Sequence, residues 1–267
     1  VLDAYEKSEG KGRRIRLQAF PTVKQRYNYC GPACMELVMR HFKYSATQES
    51  IAPHVKGDFG TPIYSMTNYL KEQGFETRRF EASPEQLTAC LDANVPIIIE
   101  EEYSMTSHVA VIVGYDECLK FVMLQDPMTH STSFRRWDTE KSIGGLFRNA
   151  ALAAFPKDNR DIAEALDKGK VLNMEHLCSF DEAGNPEIRY DNDKILEICT
   201  RALSLEDDFP AAYKRRLYVL LNKFERERTK ETEDAFLKEL CEARCRYIGW
   251  EFPHEIHAQY LISCSRF

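Results

Sequence analysis

A chain of 267 residues, 43% of them hydrophobic and 29% charged, can bury the core of one large domain or two ordinary ones. Its formal net charge of -6 and pI near 5.7 argue against a nucleic-acid scaffold, and no apolar run is long enough to span a membrane. Nine cysteines are an odd number, so at least one thiol lacks a partner within the chain; several fall at core spacing, which points to a reducing, cytoplasmic setting. The first residue is Val1, which leaves room for an upstream signal, domain or tag.

The first chemically pointed stretch is Lys24-Gln25-Arg26-Tyr27-Asn28-Tyr29-Cys30-Gly31-Pro32-Ala33-Cys34. Cys34, Leu37, Val38, His41 and Phe42 recur at the spacing of a helix with one buried face, and Cys30 extends that stripe back by one turn. Pro32 suits a first turn, where the N–H it lacks would have had no helical partner. A helix opening at Cys30 aims free N–H groups and the positive end of its dipole at the sulfur, favouring the reactive thiolate. Gln25, on an extended or turn segment just upstream, is placed to join the Cys30 backbone N–H in holding an oxyanion. The competing reading of Cys30 is a plain buried thiol, so partners are needed.

Further along, Thr61 and Pro62 read as N-cap and first position of a helix whose apolar face is Ile63, Met66, Tyr69 and Leu70, stopped by Gly74. Phe75 to Phe80 alternates as a half-exposed strand. Ser83-Pro84-Glu85 starts another short helix through Leu87 and Leu91, and Val95 to Ile99 reads as a buried strand.

Of the seven histidines, His108 is best placed to serve a thiol as base. It opens Ser107-His108-Val109-Ala110-Val111-Ile112-Val113-Gly114-Tyr115-Asp116, an apolar strand followed by a turn and a second strand, Phe121 to Gln125, that ends at Asp126-Pro127. An antiparallel hairpin centred near Glu117 and Cys118 brings His108 to the Asp126 end. Asp116, at the far end of the same strand, is about 25 Å from His108 at roughly 3.3 Å per residue. Each residue also has an ordinary reading, His108 as a core histidine and Asp126 as an Asx turn before proline.

Residues 128–148 read as a polar loop holding Trp137 and Gly144-Gly145, and Ala150 to Phe155 as a last strand closed by Pro156. The charged stretch from Lys157 to Tyr190 reads as a linker with a short helix near Ile162 to Leu166. Helical periodicity returns over residues 193–205, Ala211 to Phe224 and Glu231 to Tyr247. The passage from Ala202 to Tyr213, broken at Asp207-Asp208-Phe209-Pro210, resembles the junction between tetratricopeptide repeats, although a generic helical hairpin fits as well. Lys214-Arg215-Arg216 reads as a solvated helix face. Cys241, Cys245, His254 and His257 have a spacing that matches no standard structural zinc site, so no metal is expected.

Taken together, Gln25, Cys30-Gly31-Pro32-Ala33, the strand from His108 to Asp116 and Asp126-Pro127 resemble the bacteriocin-processing (double-glycine leader) cysteine peptidases and their stand-alone papain-like relatives. The resemblance covers about the first 157 residues. It implies an α+β, papain-like fold with helices packed on an antiparallel sheet, followed by an all-α helical-hairpin or tetratricopeptide-like region. Cys30 would be the nucleophile, His108 the general base and acid, Asp126 its orienter and Gln25 the oxyanion-hole donor, with no cofactor. The expected organisation is a peptidase domain over residues 1–157, a linker over 158–190 and a helical region over 191–267. The expected activity is peptide-bond hydrolysis, and exporter-linked members of the family add cleavage after Gly-Gly as an implied possibility. Papain-fold acyltransferases and deamidases use the same triad, and a vestigial binding module is the non-enzymatic alternative. Expected partners are a peptide or protein substrate and a protein held by the C-terminal helices, with no nucleic acid and no membrane span.

Overall fold

Among the described residues seven strands pair antiparallel, and the inner ones take up the runs whose residues alternate between two apolar environments. The structure is a computed structural model describing residues 12–57, 60–103, 106–129, 131–137, 150–247 and 251–265. It falls into two compact units, Val1–Met174 and Glu175–Phe267. In the first, β1 (Arg14–Arg16), β2 (Phe75–Glu81), β3 (Ile97–Tyr103), β4 (Thr106–Asp116), β5 (Phe121–Asp126), β6 (Ser131–Arg136) and β7 (Ala150–Pro156) form one sheet in the order β2-β7-β3-β4-β5-β6. β1 pairs with β4 beyond the end of β3.

Period-2 alternation sorts the sheet's side chains into two cores. Ile98, Val109, Val111, Leu152 and Ala154 join the cluster built by α1 (Cys30–His41), α2 (Gln48–Val55) and α3 (Ile63–Glu72). Their neighbours Ile97, Ile99, Ala110, Ile112, Ala151 and Ala153 join the cluster of α4 (Pro84–Asp92) and α5 (Arg160–Lys168). The sheet is thus covered on both faces. Helix α1 packs against β4, α2 and α3, and every residue from Gly31 to Met39 is buried, so over that stretch the enclosure extends beyond its single apolar stripe.

Several local readings are corrected. Thr61 is not an N-cap: Pro62 occupies that position, α3 begins at Ile63, and no side chain caps it. The Thr61 side chain is instead pressed against Gly31, where an added Cβ would meet its Cβ at 2.5 Å. Residues 131–136, read as loop, form β6 and pair residue for residue with β5; residues 138–149, including Gly144-Gly145, lie outside the described residues. Strand β1 and helix α2 went unread. Helix α2 is held by a capping box in which the Thr47 side chain accepts from the Ser50 N–H and Ser50 reaches back to Thr47. The Ser83–Gln86 capping box starts α4 at the expected place.

In the second unit, α6 (Glu175–Asp181), α7 (Asn192–Leu205), α8 (Pro210–Glu227), α9 (Lys230–Arg246) and α10 (Phe252–Ser265) follow one another, making it all-α. Tyr213, Leu217, Leu221, Phe224, Phe236, Leu240, Phe252, Ile256 and Tyr260 form a core of their own. Asp191 and Thr229 cap α7 and α9, and Arg228 closes α8 in the left-handed region at φ 54. Helix α10 was not anticipated, because its apolar residues lie all round rather than on one face. Residues 157–174 complete the first unit, with α5 placing Ile162 and Leu166 in its core, and 175–190 begin the second. Among the described residues no helix is long and apolar enough to cross a membrane.

Candidate active site

Helix α1 delivers Cys30 as its first residue. The N-cap, Tyr29, makes no side-chain cap bond and the first turn carries no acid, so neither a cap nor a first-turn carboxylate competes with the sulfur for the exposed N–H groups. The first helical bond runs from the Ala33 N–H to the Tyr29 carbonyl. Cys30 is half-buried, whereas Cys34 one turn on is fully enclosed and its Sγ donates to the Val109 carbonyl at 3.3 Å.

His108 comes from β4, as its third residue rather than its first, paired opposite Glu101. Its Nε2 lies 2.9 Å from Asp126 Oδ1. The ring also hydrogen-bonds Cys30. The expected hairpin is present, but the two residues are diagonal neighbours rather than directly opposed. Asp116 faces Phe121 and Gly114 faces Met123; a bulge then intervenes, and Ile112 faces Leu124 and Val111 faces Gln125. One further step sets Asp126 beside Ala110, on the same side of β4 as His108. Without the extra residue Asp126 would fall beside Val111, on the opposite side. The bulge therefore decides whether acid and base can meet.

Asp126 Oδ1 also accepts from the Met128 N–H at 2.8 Å, so the Asx turn and the histidine contact coexist. Asp116 serves elsewhere, accepting from the Leu119 N–H at 2.8 Å in the β4–β5 turn and pairing with Arg14 at 2.9 Å. Gln25 is tied to the same cluster by its backbone, whose N–H donates to the Pro127 carbonyl at 2.9 Å. Its side-chain Oε1 is enclosed with no hydrogen-bond partner among the described residues.

The electrostatics follow from these contacts. Burial pushes the Cys30 thiol up. The hydrogen bond and positive charge of His108 outweigh it, with help from backbone groups of Val109 and Gly31, so the net shift is downward. Burial likewise opposes a charged His108, yet its bonds to Cys30 and Asp126 and their negative charges raise it to about 9. Both shifts favour a thiolate–imidazolium pair. The enclosed Cys34 is driven the other way by burial, well above an ordinary thiol.

Sequence reasoning missed the bulge at Gly114, the closeness of Gly31 to Thr61, and a buried glutamine, Gln48, behind Gln25. The only local hint of the last is a polar residue directly after an N-cap. In the second unit, His254 and His257 both face the Arg244 guanidinium, at 3.4 and 3.5 Å, while Cys241 and Cys245 are exposed.

Residues 17–149 match the sequence family described as the Peptidase_C39 like family. Among solved structures, the peptidase domain of Streptococcus ComA, a bi-functional ABC transporter involved in a quorum sensing pathway, is 20% identical with a TM-score of 0.40, over 51% of this chain and 96% of that one. A double glycine motif protease from an AMS/PCAT transporter, in complex with the leader peptide, is 17% identical with a TM-score of 0.41, over 56% and 96%. The peptidase domain of Streptococcus mutans ComA is 18% identical with a TM-score of 0.35, over 51% and 98%. No curated protein matches the chain.

Proposed function

The chain belongs, through residues 17–149, to the Peptidase_C39 like family, and on that premise we propose that it is a cysteine peptidase working through Cys30, His108, Asp126 and Gln25. The observation that carries the reading is the hydrogen-bonded row at the head of α1: Cys30 bonded to His108, and His108 Nε2 held 2.9 Å from Asp126.

The Cys30 thiolate attacks the carbonyl carbon of the substrate, and the carbonyl π pair moves onto oxygen. That oxyanion is held by the Cys30 backbone N–H, which has no helical partner at this position, and by the Gln25 side-chain amide. As the tetrahedral species collapses, the C–N bond breaks and the imidazolium of His108 gives its proton to the departing amine, leaving a thioester on Cys30. His108, now neutral, takes a proton from water, which attacks the thioester and releases the acid and the thiolate. Asp126 holds the ring in one orientation and stabilises its cationic form, the orienting role of a triad's third member.

The family resemblance directs the first assay to peptides with Gly-Gly ahead of the scissile bond. Incubating the protein with such peptides and sequencing the products by mass spectrometry is expected to reveal new termini, absent with Cys30→Ala. Deamidated or acyl-transferred peptides without new termini would instead assign the same residues to transferase or deamidase chemistry.

A further inference from the structure

We propose that Gln48 is a positioning residue for catalysis, gripping the backbone on both sides of Gln25 and fixing the oxyanion donor relative to the helix that carries Cys30. This rests on the assignment of Gln25 as that donor. Gln48 opens α2 and is only 6% exposed. Its Oε1 accepts from the Arg26 N–H at 2.8 Å and its Nε2 donates to the Lys24 carbonyl at 2.9 Å. A side-chain amide thus does for residues 24–26 what a neighbouring strand would do, pairing with one C=O and one N–H. Gln25 itself, between them, donates to the Pro127 carbonyl.

Three consecutive residues of an irregular segment therefore have a backbone group held each. Holding that backbone fixes the base of the Gln25 side chain, whose Nε2 is the part of the amide able to donate to an oxyanion. Gln48 is anchored in turn to the nucleophile's helix. Its own N–H donates to Glu36 Oε2 at 2.7 Å, and Glu36, 6% exposed on α1, pairs through Oε1 with Arg40 at 3.1 Å. A closed ring results: Cys30 along α1 to Glu36, across to Gln48, to the Gln25 segment, to Pro127 and Asp126, to His108 and back to the sulfur. An oxyanion donor acts only within about 2.7–3.1 Å of the charge it serves, so an anchor of this kind is felt in the rate.

The test compares Gln48→Met, which keeps the length and removes both side-chain bonds, with Gln25→Ala and with the double variant. Gln48→Glu, which keeps the acceptor for Arg26 and loses the donor to Lys24, serves as the milder change; thermal melting checks that each folds. The probes are a fluorogenic Gly-Gly peptide amide for kcat and KM, the corresponding peptide aldehyde, whose adduct on Cys30 presents a tetrahedral oxygen, and iodoacetamide for the thiolate. Gln25→Ala is expected to lower kcat by about 10²–10³-fold. Gln48→Met is expected to lower kcat by about tenfold or more, approaching the roughly 10²-fold cost of a 1 Å misplacement, with KM and alkylation rate held and aldehyde affinity reduced in parallel. Gln48→Glu should fall between wild type and Gln48→Met. In the Gln25→Ala background, Gln48→Met should cost nothing more. A full additional loss there, an equal fall in alkylation rate, or an unchanged kcat in a folded Gln48 variant would overturn the positioning role. An unchanged kcat in Gln25→Ala would instead remove the oxyanion assignment beneath it.

Discussion

At the scale of single residues, the balance around Cys30 is between desolvation, which disfavours the thiolate, and the imidazolium of His108, which favours it. The second wins only while His108 holds its proton, and His108 keeps it up to about pH 9 because both Cys30 and Asp126 bond to it. The sign of the pH dependence follows. His108 is raised, so its imidazolium is fully present below its ordinary pKa of roughly 6.5 and is lost as pH climbs through about 9, while the thiolate half of the pair is lost as pH falls through the lowered pKa of Cys30. The basic limb of kcat/KM is accordingly expected near pH 9, and Asp126→Asn, which removes the negative charge but not the shape, should move that limb to lower pH. A limb that stays in place in the variant would show that Asp126 does not support the imidazolium. This part of the site was readable from sequence because each member marks its own surroundings: a cysteine at a helix start, a histidine in an apolar strand, an acid where the next strand ends. Gln48 is not readable, since the partners of its side chain lie more than twenty residues away in an irregular segment.

At the scale of elements, the β4–β5 hairpin sets the geometry through its bulge. Gly114, at the bulge, sits where β1 comes closest: a Cβ there would lie 2.5 Å from the Ile15 carbonyl and 3.0 Å from Met123 Sδ. Because the first clash is with backbone, Gly114→Ala must move either β1 or the bulge. We expect a loss of about 1–3 kcal/mol of stability, the usual cost of overpacking, seen as a lower melting temperature. If the bulge shifts, peptidase activity should fall out of proportion to stability; unchanged melting would contradict the close approach. The hairpin itself was evident from two apolar runs around a turn, but the extra residue was not, because a one-residue irregularity leaves the hydrophobic pattern nearly intact. Strand β6 escaped notice for the opposite reason. Its Ser131-Thr132-Ser133-Phe134-Arg135-Arg136 is a polar edge strand, carrying no buried face to produce alternation. Thr61 misled because the choice between capping α3 and packing on Gly31 is made by the tertiary contact.

At the scale of the molecule, the two sheet-face cores and the row Cys30–His108–Asp126 are built from residues of the first unit, while the second unit has its own aromatic core. The change from mixed to purely helical periodicity is visible in the sequence, as is the short helix near Ile162 to Leu166, whereas α6 is obscured by the charged stretch around it. The nine free thiols, spread over both units, give a whole-chain readout of what the fold does to one of them. Burial pushes Cys34 and Cys90 far up and Cys199 to about 12, so these should be slow toward an alkylating agent; five others are exposed. Cys30 combines access with a lowered pKa. The decisive measurement is therefore limiting iodoacetamide treatment of the folded protein near neutral pH, with each cysteine's modification followed by mass spectrometry in wild type and His108→Ala. Cys30 is expected to react fastest of the nine and to slow sharply in the variant, where burial of the sulfur is no longer offset. Labelling that is uniform across the thiols, or a Cys30 rate untouched by His108→Ala, would contradict it.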